Sequence, residues 1–240
     1  MGLNLTRKYS INFSLPKRAK KLIKFIIIHY TGMKKETDAI KRLCDMKAKV
    51  SSHYFIKNNG GLVNLVPDLY EAWHAGKSGW KKFRSLNKYS IGIEINNPGH
   101  EHGYKKFSSK QIHTLIKLLR YLVKKYNIKI QNILGHSDIA PNRKKDPGEK
   151  FPWKILAGKN LSKWHDLSEI KISQHRNLKI NNFEKKKFFD NLYKIGYLKK
   201  NKNKIKNNII KAFQRKFRQS LVNGKIDREC LIISENLIKS

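Results

Sequence analysis

The run Phe25-Ile26-Ile27-Ile28 constrains the fold more than any other segment of the chain. Four consecutive β-branched or aromatic residues are typical of a strand that is buried on both faces, as strands of parallel sheets are. The run ends at His29, so a strand here places that histidine at its carboxyl-terminal edge. Sites in α/β proteins lie at this edge. We therefore expect an α/β sheet with a polar site where this strand ends.

Two further segments indicate the surroundings of this strand. Residues Ser90 to Ile95 alternate strictly, which predicts a strand with Glu94 on the face away from the isoleucines. Ser108 and Gln111 form a capping-box pattern before an apolar repeat of helical spacing, which predicts a helix over residues 108–126. Strands and helices in this order predict a mixed central β-sheet flanked by helices. The other predicted elements are a helix over 37–50, hairpin strands over 53–56 and 62–66, and a strand over 128–134.

The character of the sequence changes after residue 167. Residues 168–182 are polar and weakly patterned, as linkers are. Apolar residues then recur at helical spacing around Phe188, Phe213 and Leu231, and Asp227 is placed to cap the last helix. We predict an α/β domain over 1–167, a linker over 168–182 and a small three-helix C-terminal domain over 183–240. Residues 199–208, rich in Lys and Asn, are predicted to form a mobile loop.

The chain carries a formal net charge of +36, from 53 Lys and Arg against 17 Asp and Glu. Such a charge attracts polyanions, and nucleic acid, bacterial cell wall and anionic membrane surfaces all fit it. A compositional drift toward Lys, Ile and Asn explains part of the excess. The sequence has no helix-turn-helix, no zinc-finger spacing and no interleaved aromatic and basic RNA motif, so no nucleic-acid partner is expected.

Three side chains are candidates for metal ligands. His29 and His136 each follow an apolar strand, and Asp146 lies in a Pro- and Gly-rich loop after His136. A catalytic zinc site uses three N or O ligands and keeps a fourth position for a water molecule, whose pKa the metal lowers. The spacing leaves a second interpretation open, in which each histidine is a hydrogen-bonded residue of the core or the surface.

Six motifs in a fixed order favour the catalytic interpretation. They are Ile28-His29-Tyr30-Thr31, Val50-Ser51-Ser52-His53-Tyr54, Ala72-Trp73-His74-Ala75-Gly76, Ser90-Ile91-Gly92-Ile93-Glu94, Gly135-His136-Ser137-Asp138-Ile139-Ala140-Pro141 and Arg143-Lys144-Lys145-Asp146-Pro147-Gly148. This set resembles the motifs of family-2 N-acetylmuramoyl-L-alanine amidases of the AmpD and AmiD type, which are related to peptidoglycan recognition proteins. The resemblance covers residues 25–153.

The resemblance implies a role for each matching position. It implies that His29, His136 and Asp146 bind one Zn²⁺ per chain. It implies that Glu94 is the catalytic carboxylate, which takes a proton from the attacking water and passes one to the leaving L-alanine nitrogen. Lys144, two residues before the metal-binding aspartate, is implied to stabilise the charge that develops on the amide oxygen.

Several of these residues also have a structural interpretation. His53, Trp73 and His74 are candidates for substrate contacts, because amide and sugar faces pack well on aromatic rings, and they could equally be structural. Lys144 belongs to a basic run over 143–145, so exposure without a catalytic role also fits it. Asp138 is expected to fix its loop rather than to bind the metal.

The C-terminal domain carries a second resemblance. The stretch Ile210-Lys211-Ala212-Phe213-Gln214-Arg215-Lys216-Phe217 is followed by Gly224-Lys225-Ile226-Asp227. This pattern is similar to the three-helix peptidoglycan-binding domain that accompanies many wall hydrolases, with part of the small residues around its turn replaced. A helical bundle without a ligand is the alternative. A wall-binding domain would raise the local concentration of substrate.

The main hypothesis is a zinc-dependent amidase that acts on peptidoglycan or muropeptides, including anhydro-muropeptides. The alternative is a recognition protein of the same fold that binds muropeptide without cutting it, and the presence of Glu94 and all three ligands counts against it. The two-domain order favours the bacterial envelope or periplasm, whereas residues 1–21, which have no apolar core of signal-peptide length, favour the cytoplasm. No transmembrane segment is predicted. The sequence predicts no particular oligomeric state.

Overall fold

The computed structural model describes residues 5–199 and 203–239. These residues form ten β-strands and eight α-helices. The strands are β1 (Leu5–Arg7), β2 (Phe13–Ser14), β3 (Phe25–Tyr30), β4 (Tyr54–Ile56), β5 (Leu62–Asn64), β6 (Glu71–Ala72), β7 (Gly79–Trp80), β8 (Phe83–Arg84), β9 (Ser90–Ile95) and β10 (Ile133–Gly135). The helices are α1 (Glu36–Cys44), α2 (Ser109–Tyr126), α3 (His136–Ile139), α4 (Trp153–Ala157), α5 (Glu169–Ser173), α6 (Asn182–Ile195), α7 (Asn203–Phe217) and α8 (Arg228–Lys239).

Six strands form one mixed sheet in the order β1-β5-β4-β9-β3-β10. Strands β4, β9, β3 and β10 are parallel to one another, so their carboxyl ends meet at one edge. The predicted hairpin is present as the antiparallel pair β4 and β5. Its turn holds Gly60 at a φ of 84°, where glycine has no steric penalty. The mixed α/β fold predicted from the sequence is confirmed.

Helix α2 covers one face of the sheet. The Ser108 hydroxyl accepts a hydrogen bond from the Gln111 amide, and the Gln111 side chain accepts one from the Ser108 amide, so the predicted capping box is present. The isoleucines of β3 and β9 that face the helix are removed from water. The helix residues fully buried against them are Leu115, Leu118, Leu119 and Leu122.

The opposite face of the sheet is covered by the C-terminal helical unit, which comprises α6, α7 and α8. Phe25 and Ile27 of β3 join Phe188 of α6 and Phe213 of α7 in one buried apolar cluster. Side chains alternate along a strand, so His29 lies on this same face, beyond the apolar residues. The helical unit and the polar edge therefore share one side of the sheet.

Two predicted elements are shorter than expected. The helix predicted over 37–50 ends at Cys44, because Asp45 is extended and its carboxylate caps a separate 3-10 turn, Met46–Ala48. The strand predicted over 128–134 begins with a 3-10 turn, Ile130–Asn132, and only Ile133–Gly135 pairs with β3.

The three predicted C-terminal helices are present, and the Asp227 carboxylate accepts a hydrogen bond from the Cys230 amide at the start of α8. The predicted linker contains α5. The loop predicted over 199–208 is wrong for residues 203–208, which are helical because Ile205 packs on the apolar cluster of the unit. Residues 200–202 lie outside the described residues. Within 5–199 and 203–239, no helix is long and apolar enough to cross a membrane.

Candidate metal centre and active site

Three side chains turn their ligand atoms toward one point. His29 lies near the end of β3, and His136 directly follows β10, the parallel neighbour of β3. Asp146 comes from the loop that returns over this edge. The Nδ1 atoms of His29 and His136 are 2.9 Å apart, and Oδ2 of Asp146 lies 3.1 Å from each of them. All three side chains are buried.

The second nitrogen of each imidazole shows which nitrogen is free to bind a metal. Nε2 of His136 lies 3.2 Å from the Ala75 carbonyl oxygen, which can only accept, so Nε2 carries the proton. The Ser90 hydroxyl donates to the Leu86 carbonyl at 2.6 Å, so it accepts from Nε2 of His74 at 3.2 Å. Nδ1 of His74 is then an acceptor, and Nε2 of His29 donates to it at 3.0 Å. This assignment leaves a lone pair on Nδ1 of both candidate ligands.

The donor set fits a zinc ion. Two neutral imidazoles and a carboxylate are ligands that Zn²⁺ uses, and donors at about 2.0–2.1 Å from the ion in a tetrahedron lie about 3.3 Å apart. The separations of 2.9–3.1 Å come within a few tenths of an ångström of that value. Three such atoms this close repel one another unless a metal ion, or a shared proton in its place, lies between them. Among the residues that the structure describes, these three form the one group with metal-binding spacing.

Burial and mutual contact set the charge of these ligands. Burial, reinforced by the neighbouring His136, lowers the pKa of His29 to about 4, so its ring is neutral at pH 7. Burial opposes the ionisation of Asp146, but the two histidines hold the pKa of its carboxyl well below the usual range. A neutral imidazole and an ionised carboxylate are the forms that bind metals.

Glu94 lies one strand away from the histidines, because β9 pairs with β3 and places Glu94 beside His29. Its side chain is buried, and Oε2 has no hydrogen-bond partner among the described residues. Burial, followed by the negative charge of Asp146, raises the pKa of Glu94 to about 8, against the opposing charge of Lys144. A buried carboxylate with a free oxygen and a raised pKa is suited to accept and return a proton.

The loop after α3 brings Lys144 to the same place. The Arg143 guanidinium anchors this loop by donating to the carbonyls of Ala75 at 2.6 Å and Lys77 at 3.0 Å. Lys144 is half-buried, and together with Glu94 and the three candidate ligands it lines a cavity of about 330 Å³. The rest of the cavity wall includes Tyr30, Thr31, Met33, Arg42, His74, Pro98, His100 and Glu101.

Comparison with known proteins assigns this site to a family. A family model described as N-acetylmuramoyl-L-alanine amidase (Amidase_2) matches residues 18–149, which is more than half of the chain and includes the three candidate ligands, Glu94 and Lys144. This chain belongs to that amidase family. The amidase is 34% identical over 231 residues to the N-acetylmuramoyl-L-alanine amidase AmiD of Escherichia coli (strain K12), covering 90% of this chain and 83% of AmiD. It is 37% identical over 117 residues to the 1,6-anhydro-N-acetylmuramyl-L-alanine amidase AmpD of the same organism, covering 48% of this chain and 62% of AmpD.

Solved structures of relatives share the architecture of the amidase. The complex of AmiD from E. coli with the substrate anhydro-N-acetylmuramic acid-L-Ala-D-gamma-Glu-L-Lys aligns with a TM-score of 0.81 at 32% identity, covering 94% of this chain and 92% of AmiD. AmpDh3 from Pseudomonas aeruginosa in complex with anhydromuramic pentapeptide aligns with a TM-score of 0.79 at 27% identity, covering 94% of each chain. At this coverage, the likeness includes the C-terminal helical unit.

The three residues predicted to contact substrate have different positions in the amidase. His74 lines the cavity and holds His29 through its ring. His53 is fully buried, accepts a hydrogen bond on Nδ1 from the Gly92 amide at 2.9 Å, and donates from Nε2 to the Tyr70 carbonyl at 3.0 Å. Trp73 donates from its indole to the Ser14 hydroxyl at 2.9 Å. His53 and Trp73 lie outside the cavity wall, and their bonds favour the structural alternative.

Other residues that shape the site were not predicted from the sequence. Ser90 accepts a hydrogen bond from His74, and this makes His74 the acceptor for His29. Arg143 holds the loop that carries Lys144. Lys216 of α7, which lies 3.5 Å from Asp138 in the turn that carries His136, is one of 53 Lys and Arg. A serine at the start of a strand and a single lysine in so basic a chain carry no signal of their own.

Proposed function

We propose that this chain is a zinc-dependent amidase that hydrolyses the amide bond between N-acetylmuramic acid and L-alanine in peptidoglycan or muropeptides, including anhydro-muropeptides. Membership of the amidase family supports the reaction class. The substrate class is supported by a relative named for anhydro-muramyl-L-alanine and by relatives solved with anhydro-muropeptides bound. The partner is then a muropeptide or the wall polymer.

The observation that carries this proposal is the place of Glu94 beside the candidate metal ligands. Among the residues that the structure describes, none donates a hydrogen bond to its Oε2, although an unsatisfied buried oxygen costs about 1–3 kcal/mol. A hydrolase needs such a free base next to its metal, whereas a protein that only binds muropeptide does not. Glu94 therefore favours the enzyme over the recognition protein.

The residues of this chain divide the reaction between them. When bound by His29, His136 and Asp146, Zn²⁺ supplies a Lewis acid that acidifies water and polarises a carbonyl. Glu94 accepts a proton on Oε2 as the water oxygen bonds to the lactyl carbonyl carbon, whose π electrons move onto the carbonyl oxygen. As the C–N bond breaks, Glu94 returns the proton to the L-alanine nitrogen. The electrons on the carbonyl oxygen re-form the C=O bond as the amine leaves, and the second proton of the water passes from the new carboxylic acid to the amine. The products are a lactyl carboxylate and an ammonium group on L-alanine, and no covalent enzyme intermediate forms.

Lys144 has the complementary role of stabilising negative charge. Its ammonium group belongs to a flexible side chain in the cavity wall, so it can follow the carbonyl oxygen as charge develops there. Arg143, bonded to two carbonyls, is held in place and supports the loop instead.

Zinc dependence is tested by removing and restoring the metal. We expect the purified protein to bind one Zn²⁺ per chain, to lose muropeptide cleavage on chelation and to regain it with zinc. Asp146→Asn removes a ligand and should lose both zinc and activity. Asp68→Asn, which also replaces a buried carboxylate but lies outside the cavity wall, should keep both. Full cleavage after metal removal would contradict the proposal. Binding of muropeptide without cleavage in every condition would establish the recognition protein instead.

We also propose that the C-terminal helical unit binds polymeric peptidoglycan and that the enzyme acts in the bacterial envelope. The Ala212-Phe213-Gln214 segment supports this through its similarity to wall-binding domains. Gln214 is buried and builds the following turn: its Oε1 accepts from the amides of Asn223 and Gly224, and its Nε2 donates to the Lys225 carbonyl. The Ala212-Phe213-Gln214 segment therefore shapes the turn, and the proposed contact with the wall is made by the exposed groups around this turn.

Wall binding is measured by sedimentation with purified peptidoglycan. The Glu94→Gln variant of the full chain is used, so that the polymer stays uncut. We expect the protein to pellet with the polymer at physiological salt. Protein that stays in the supernatant would contradict wall binding and leave the amidase proposal intact.

A further inference from the structure

The candidate ligand His136 is fixed in place through Asp138, two residues further along. His136 is the first residue of α3, a helix of one turn directly after β10. The Asp138 carboxylate folds back, and its Oδ2 accepts a hydrogen bond from the Gly135 amide at 2.8 Å. This contact closes the turn around His136, so the backbone that carries the imidazole depends on where the carboxylate is held.

Two further contacts of this carboxylate come from the C-terminal helical unit, one from α7 and one from the turn directly after α6. The Tyr197 hydroxyl donates to Oδ1 of Asp138 at 2.8 Å. The Lys216 ammonium of α7 lies 3.5 Å from Oδ2. Asp138, Tyr197 and Lys216, called here the Asp138 cluster, are at most 3% exposed. A buried carboxylate needs donors and a positive charge nearby, and the helical unit supplies both.

Lys216 also contacts the strand before His136. Its ammonium donates to the Ile133 carbonyl at 3.0 Å and lies 4.3 Å from the centre of the Trp153 ring. One side chain of α7 thus touches both β10 and α3, and His136 lies at the joint between them. Apolar packing alone would hold the helical unit on the sheet without directing polar contacts at this joint.

We propose that the Asp138 cluster is a positioning group through which the C-terminal helical unit sets the orientation of His136 for metal binding. The proposal rests on the proposed function only in that His136 is taken as a metal ligand. It makes the helical unit part of the metal site, in addition to any contact that the unit makes with the wall.

The sharpest test removes one hydroxyl. Tyr197→Phe deletes a single donor to Asp138 and keeps the ring that packs edge-on against Trp80. The matched control is Tyr126→Phe, because the Tyr126 hydroxyl donates to another buried carboxylate, Asp68, at 2.6 Å. Asp68 has three side-chain donors, and Asp138 has two side-chain partners and one backbone amide, so each variant takes one of three partners from a buried aspartate. The aspartates differ in that only Asp138 adjoins a candidate ligand.

The readout is the dissociation constant of the full chain for Zn²⁺, measured by competition with a chromophoric chelator. Loss of a direct hydrogen-bond partner of a ligand weakens metal binding about 10- to 100-fold. Tyr197 acts one step further out, through Asp138, so we expect Tyr197→Phe to weaken zinc binding about 10-fold, at the lower end of that range. We expect Tyr126→Phe to bind Zn²⁺ within about twofold of the wild type. The visible spectrum of the Co²⁺-substituted protein should change for Tyr197→Phe and not for Tyr126→Phe.

The outcomes separate this proposal from the proposed function. Zinc affinity of Tyr197→Phe within about twofold of the wild type, with an unchanged Co²⁺ spectrum, would overturn the positioning group and leave the amidase proposal standing. Equal losses in both tyrosine variants would also overturn it, because a general loss of stability would then explain them. A wild-type chain that binds no Zn²⁺ would overturn both proposals. Lys216→Met, where it folds, should weaken zinc binding in the same direction as Tyr197→Phe.

Discussion

Glu94 differs from the other carboxylate of the site in what surrounds it. Asp146 contacts two histidines and is held ionised, whereas Glu94 has a raised pKa and one oxygen that finds no partner within residues 5–199 and 203–239. Two carboxylates in one cavity thus have different environments, which is how acid and base roles are divided between like groups. In the proposed reaction, Glu94 takes the first proton from water and gives it to the leaving nitrogen at the end.

The first prediction concerns the removal of this base. Glu94→Gln keeps the shape of the side chain and removes its ability to take a proton, so kcat should fall about 10²- to 10⁴-fold. Zinc affinity should stay the same, because Glu94 is not a ligand. The control is Glu101→Gln, an exposed carboxylate in the same cavity wall, which should keep nearly full activity. Equal activity of wild type and Glu94→Gln would remove Glu94 from the mechanism.

The second prediction concerns pH. Burial and the charge of Asp146 raise the pKa of Glu94 to about 8 in the metal-free protein, so Glu94 is mostly protonated at pH 7 in that form. A cation at the adjacent ligands favours the ionised form, so zinc should lower this pKa and make the base available. Infrared difference spectra between wild type and Glu94→Gln report the carboxyl band. We expect its midpoint near pH 8 without zinc and lower with zinc; an upward shift on adding zinc would contradict this account.

Strand ends and a Pro- and Gly-rich loop made His29, His136 and Asp146 candidates for metal ligands, and the resemblance to the amidase family was needed to favour that role over ordinary core or surface positions. The residues that orient them were not predictable in the same way. Ser90 acts through His74, and Lys216 acts from a helix 80 residues after His136 in the chain. Contacts of this kind depend on tertiary packing, which the local pattern around a residue does not contain.

At the scale of elements, β9 supports the site because its residue Gly92 has no side chain. A Cβ at Gly92 would lie 2.4 Å from the His74 ring, so only glycine leaves room for that ring beside the strand. The ring is the hydrogen-bond acceptor for Nε2 of His29. Strand β9 therefore holds the candidate ligand His29 in place indirectly, through His74.

The third prediction follows from this close approach. Gly92→Ala should push the His74 ring away, loosen His29 and weaken zinc binding about 10-fold or more. The control is Gly158→Ala, because a Cβ there would meet its nearest atoms at 3.7 Å, an ordinary contact, and φ is −63°. Zinc titration of both variants checks the prediction. Unaltered zinc affinity in a folded Gly92→Ala variant would show that His74 does not position His29.

Elements were predicted well where a cap or an alternation marks them. The capping box of α2 and the isoleucine alternation of β9 are as expected, since both follow from local hydrogen bonds and from the two-residue repeat of a strand. The helix over 37–50 was predicted too long, because apolar spacing continues past Cys44 whereas the backbone turns at Asp45. Apolar spacing reports which face is buried and says less about where an element ends.

At the scale of the whole molecule, the sheet and the helical unit share one apolar cluster. Residues of β3 and β10 pack with residues of α6, α7 and α8 there, and polar contacts of Tyr197 and Lys216 reach Asp138 and β10 on either side of the candidate ligand His136. The sequence predicted both units as separate domains. Their docking was not predictable, because a periodic pattern shows that a face is buried without showing against what.

The fourth prediction is that the chain unfolds as one unit. Phe213→Ala removes a fully buried ring from the shared cluster and should lower the free energy of unfolding by about 3–5 kcal/mol. Calorimetry should show a single transition that moves to lower temperature as a whole. Phe183→Ala, which removes an exposed ring on α6, should change stability by less than about 0.5 kcal/mol. Two transitions, of which Phe213→Ala moves only one, would mean that sheet and helices are independent.

The measurement that tests the central claim most directly is mass spectrometry of the products formed from a muropeptide mixture in H₂¹⁸O, with zinc and with chelator. Hydrolysis of the muramoyl–L-alanine bond places one ¹⁸O in the lactyl carboxylate and none in the released peptide. We predict stem peptides that begin with unlabelled L-alanine, and singly labelled muramic acid fragments, only when zinc is present. Intact muropeptides in both conditions, or ¹⁸O in a carboxylate of the peptide, would contradict the claim that this chain is a zinc-dependent N-acetylmuramoyl-L-alanine amidase.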